Sequence, residues 1–120
     1  MKYNSDFAYD LKVGQVKEKE LGFLLGQEIE VKRDLKAINT GNLFIEYESR
    51  DKDSGLVKTT ALYYCFFFTD TRMFLILTED LKTLCRKYIG TSRDVKGGDN
   101  NTSKGILLPL KDLITQTKSK

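Results

Sequence analysis

Two segments of this chain alternate polar and apolar side chains with a period of two, the period of a strand with one face buried. The first is Glu28-Ile-Glu-Val-Lys-Arg-Asp34 and the second is Asn42-Leu-Phe-Ile-Glu-Tyr-Glu-Ser49. Between them Asn39, Thr40 and Gly41 are turn residues, so the two segments predict a hairpin. Centred near Ile38, that hairpin sets Glu30 opposite Glu46 and Lys32 opposite Phe44, with facing Cβ atoms roughly 5 Å apart. A slip of two residues puts Glu28 or Asp34 in the place of Glu30.

Facing carboxylates repel, and a divalent cation held between them removes the penalty. An ammonium group beside them, here Lys32, supplies positive charge to steady a phosphate or orient an attacking water. The rest of the composition narrows the chemistry further. The chain has no histidine, which excludes Ser-His and Cys-His catalysis and any His-ligated zinc. Its two cysteines, Cys65 and Cys85, sit in apolar segments and read as free buried thiols. What remains is carboxylates, lysine, hydroxyls and backbone groups, a set suited to Mg²⁺ or Mn²⁺. The plainer alternative is a solvated face of an edge hairpin, its acids neutralised by Lys32 and Arg33.

The remaining segments complete an α/β pattern. Asp10 to Leu25 predicts a helix with Gly26 as its stop, and residues 50–56 a polar loop. Thr59 to Ala61 reads as one helical turn. Tyr63 to Phe68 and Arg72 to Thr78 read as antiparallel strands. Glu79 to Tyr88 is a helix with Thr78 as N-cap and Glu79 and Asp80 in its first turn. Residues 90–105 predict a long polar loop, Ile106 to Leu108 a short strand, and Pro109 to Ile114 a last helix. The expected fold is a single α/β domain over residues 1–120, a mixed sheet flanked by helices. With 40% hydrophobic and 31% charged residues the chain is of ordinary globular composition. It carries no long apolar run and no leader pattern, so a cytoplasmic protein away from the membrane is expected. A net charge of +3 is too mild to name a nucleic-acid partner by itself.

The stretch Ile29-Glu-Val-Lys32, the strand Asn42 to Ser49 behind it and Gly14-Gln-Val-Lys-Glu18 on the first helix together resemble the PD-(D/E)XK nuclease superfamily. Within it the likeness is to small phage nucleases and archaeal Holliday-junction resolvases, and it spans roughly residues 14–64. It implies a restriction-endonuclease-like core and a Mg²⁺-dependent DNA endonuclease, structure-specific for branched DNA. Glu18 matches the helix glutamate that reaches the metal site. Glu30 and Glu46 take the places of the two acids, with Asp34 as the alternative first acid, and Lys32 stabilises the transition state. The lysine expected after Glu46 is replaced by Glu48, and this departure gives weight to a second reading, a non-catalytic DNA-binding module with a nuclease-like fold. Arg33, Lys36, Arg50, Lys52 and Lys58 cluster near the hairpin ends, placed for backbone phosphates. Small junction-cutting relatives act as homodimers, so a homodimer is implied as well. A third reading, an inhibitor whose acidic face mimics DNA, sits poorly with the positive charge.

Overall fold

The computed structural model describes residues 9–12, 29–69 and 72–114. The predicted helix over Asp10 to Leu25 therefore lies mostly outside the described residues, with Gly14 and Glu18 in it. Its first residues are strand instead: β1 spans Tyr9–Lys12. It is followed by β2 (Ile29–Arg33), the helical turn α1 (Ala37–Thr40), β3 (Asn42–Ser49) and β4 (Lys52–Asp53). Then come the turn α2 (Gly55–Lys58), β5 (Tyr63–Phe67), β6 (Arg72–Leu77) and helix α3 (Thr78–Arg86). The chain ends its described course with β7 (Asp94–Gly97), a 3₁₀ turn (Asp99–Asn101), β8 (Ser103–Pro109) and α4 (Leu110–Ile114).

The strands form two sheets. One is mixed, in the order β1-β6-β5-β2, and the other is antiparallel, in the order β4-β3-β8-β7. In the mixed sheet β5 and β6 are antiparallel, as predicted, while β2 runs parallel to β5. Both faces of β5 and β6 are buried, which is why these strands read as continuous apolar runs. Tyr64, Phe66, Phe74 and Ile76 join the main core with Leu43 and Ile45 of β3 and Ile106 and Leu108 of β8. The opposite face carries a second cluster of Cys65, Phe67, Met73 and Leu75, against which Ile29 and Val31 pack. Neither cysteine is in a disulfide, and both are buried, one in each cluster.

The predicted hairpin does not form: β2 and β3 belong to different sheets. The physical reason lies in the connector and in what each apolar face needs. Residues 34–41 are too long for a tight hairpin loop, and they wind into α1 with Ala37 fully buried in the main core. Gly41, at φ +76°, is the helical C-cap, its N–H donating 2.7 Å to the Ala37 carbonyl. The apolar side chains of β2 then complete one cluster and those of β3 the other. Elsewhere, the predicted loop 90–105 is in large part the β7–β8 hairpin, and the predicted short strand is the end of a seven-residue central strand. The predicted turn at residues 59–61 falls earlier, at α2. Thr78 is the first residue of α3 instead of its side-chain cap, its hydroxyl donating 2.8 Å to the Ala61 carbonyl. No helix among the described residues is long and apolar enough to cross a membrane.

Candidate functional site

In a parallel pair side chains in register share a face. Glu30 is in register with Tyr64 and Lys32 with Phe66, so both charged residues stand on the side of the mixed sheet that looks toward the main core. Because β2 is an edge strand, they reach the open margin between the two sheets. β3 runs along the other lip of that margin, and a cleft of about 250 Å³ lies between them. Lys32, Arg33 and Asp34 line one wall, Phe44, Ile45 and Glu46 the other, and Tyr64, Phe66 and Gly55 complete it.

The cleft thus gathers Lys32, Asp34 and Glu46, although by another route than a hairpin. Glu30 stands beside it, with one carboxylate oxygen 3.4 Å from the Lys32 ammonium. Both partners are partly exposed, so the pair orients more than it stabilises. Glu46 is held more firmly. The Ser54 hydroxyl donates 2.8 Å to its carboxylate, and Gly55 packs against its backbone. A Cβ on Gly55 would lie 2.2 Å from the Glu46 carbonyl oxygen, and φ there is +48°. No side chain fits that position. Asp34 is anchored by its backbone N–H, which donates 2.9 Å to the Phe67 carbonyl at the end of β5.

Tyr64 is the residue that pattern reading missed. Buried at the floor, its phenol is pushed up to about 12, first by burial and then by the Glu30 carboxylate, with a smaller push from Glu46 and an opposing hydrogen bond from Thr59. The two carboxylates therefore act on one hydroxyl from two sheets. Its signal in the sequence was a phenol inside an otherwise apolar run, which reads equally well as plain core.

Other predicted residues fall elsewhere. Of the five basic residues placed for DNA phosphates, only Arg33 lines the cleft, and Lys52 lies on β4. Lys36 precedes α1, Lys58 ends α2, and Arg50 sits in the β3–β4 turn at φ +51°. Glu48, in the place of the expected lysine, is 3.5 Å from the ammonium of Lys104 on β8. Among the described residues no three carboxylate or thiol groups converge as a ready-made metal cage. Glu30, Asp34 and Glu46 offer only oxygen donors, and the thiols lie in the two cores. That set fits Mg²⁺ or Mn²⁺, which are held by one or two carboxylates with water and substrate phosphate completing the shell. Comparison with protein-family models, with curated proteins and with solved structures returns no match for this chain.

Proposed function

We propose that this chain is a Mg²⁺-dependent DNA endonuclease of PD-(D/E)XK type, working at the cleft between β2 and β3. What supports the reading is one observation: Lys32 on one sheet, Asp34 just past the end of the same strand and Glu46 on the other sheet line the same small opening. In this reading Glu46 and Asp34 hold the metal, with Glu30 alongside; a role for Glu18 enters from the resemblance alone. The bound metal supplies an activated water and shields the phosphate charge. Lys32 places its ammonium by the scissile phosphate, where negative charge builds up, and Arg33 holds the strand through its backbone phosphate. Ser54 keeps the Glu46 carboxylate turned toward the opening. Branched DNA and a homodimer enter from the resemblance alone.

The test is cleavage of linear and four-way branched DNA with Mg²⁺, with Mn²⁺ or with EDTA. Metal-dependent cutting is expected, with Glu46→Ala and Lys32→Ala each lowering the rate by roughly 10²-fold or more. Cutting that persists in EDTA or in Glu46→Ala would overturn the assignment. Glu48, standing where a lysine is expected, favours the second reading, a DNA-binding module without cleavage, and binding that survives without any cutting is its signature.

A further inference from the structure

A second opening, also of about 250 Å³, lies on the other side of β3 from the cleft, between α2 and α3. Its floor is the main core itself: Ile45, Leu56, Cys85 and Ile106 line it, all 5% exposed or less. Its mouth is flanked by Val57 and Ile89, which are 50% and 54% exposed. These are two of only four large apolar side chains left so exposed among the described residues. A groove that runs from exposed apolar rims to a largely apolar floor gains free energy when an apolar body fills it.

Charge decides which body. Lys82 and Arg86, one turn apart on α3, line the groove, and no carboxylate among the described residues does. Lys82 is 3.6 Å from Glu79, an exposed partner on the same helix that lies outside the lining. Such a pair is weak and yields readily to a better-placed anion. The Cys85 thiol at the floor is held protonated, pushed up to about 12 by burial and by Asp112, so it adds apolar surface and no negative charge. We propose that this groove binds a short-chain amphiphilic carboxylate, its hydrocarbon on the Ile45–Ile106 floor and its head group between Lys82 and Arg86. At this volume the site is smaller than the roughly 300–1,000 Å³ typical of drug-sized ligands, which favours a short chain over a long one.

The experiment uses the full chain with ¹³C-labelled isoleucine methyls and titrates octanoate, octanol and octyltrimethylammonium. Octanoate is expected to shift the methyls of Ile45, Ile89 and Ile106 together and saturably. Octanol is expected to bind at least tenfold more weakly and the cation not at all. Affinity along hexanoate, heptanoate and octanoate is expected to rise about fourfold per methylene, the factor that corresponds to about 0.8 kcal/mol, until the cavity is full. The double variant Lys82→Glu/Arg86→Glu changes only α3 residues outside the core cluster, and is expected to lose octanoate while keeping the fold. Octanoate that leaves those three methyls unmoved at millimolar concentration, or that binds no better than octanol, would overturn the proposal. So would full binding by the charge-reversed variant.

Discussion

Glu46 owes its position to a hydrogen atom. Gly55 has no side chain, and the space where one would go is taken by the Glu46 carbonyl at 2.2 Å. Gly55→Ala forces both a backbone clash and a left-handed φ on alanine, and is expected to cost about 2–4 kcal/mol in urea unfolding. Gly41→Ala is the control. It shares the positive φ but meets nothing within 4 Å, so it carries the conformational cost alone, about 1 kcal/mol. Equal costs for the two would mean that the contact with Glu46 is not close. Ser54→Ala, by contrast, removes a single hydrogen bond from the Glu46 carboxylate. It leaves the backbone as it is and should change stability by about 1 kcal/mol at most.

The β7–β8 hairpin is the element that most changes the expected picture. Lys96 and Lys104 are direct partners across it, in a stretch that by composition looks like a loose polar connector. Lys96→Cys with Lys104→Cys is expected to close a disulfide under mild air oxidation, seen as a loss of two mass units, because paired strand positions fall within bridging distance. A pair that stays reduced would contradict the register. How much of this was legible follows from the same physics. β2, β3, β5, β6 and α3 were readable within a residue or two, since each carries its own period or apolar run. β7 and the first half of β8 were not, because Gly97, Gly98 and Gly105 carry no side chain with which to mark a face. The glycines are there for a reason the local pattern does not record: the Phe44 ring occupies the space above Gly97 and Gly105, where added Cβ atoms would lie 2.9 and 2.6 Å from its Cζ. Strand pairing was the least legible part. Alternation says that Glu30 and Lys32 share a face, which holds. It is silent on which strand lies alongside, and the nearest neighbour in sequence was the wrong choice. Lys32, Asp34 and Glu46 nevertheless line one cleft, because the margin between the sheets is bounded by the same two strands.

Across the molecule as a whole, buried and hydrogen-bonded acids tie stability to alkaline pH. The Tyr47 hydroxyl donates 2.6 Å to Asp94, and this bond, with burial, pushes its phenol up to about 12. Tyr64 and Cys85 are also pushed up to about 12. In the unfolded chain phenols ionise near about 10 and thiols near about 8.5. Above those values the unfolded state has released protons that the folded state still holds, so stability falls as pH rises. The urea midpoint is expected to be level up to about pH 8.5 and to decline progressively toward pH 12. Tyr47→Phe is expected to flatten part of that decline while costing about 1 kcal/mol at neutral pH. A midpoint that is constant to pH 11 would contradict the protonated state assigned to these groups.

The pairing of β3 with β8 also sets a tempo. Ile45 meets Ile106 about sixty residues further along, and β2 finds β5 only after β3 and β4 have been threaded into the other sheet. Such distant partners impose the entropy of closing large loops before any contact rewards it, and topologies of this kind fold in milliseconds to seconds rather than microseconds. Among the described residues only the β5–β6 and β7–β8 ribbons, with the two-residue pairing of β3 and β4, assemble from neighbouring chain. Until β8 docks, one long edge of β3 has no backbone partner, and for that interval the chain is most open to sticking to its own copies.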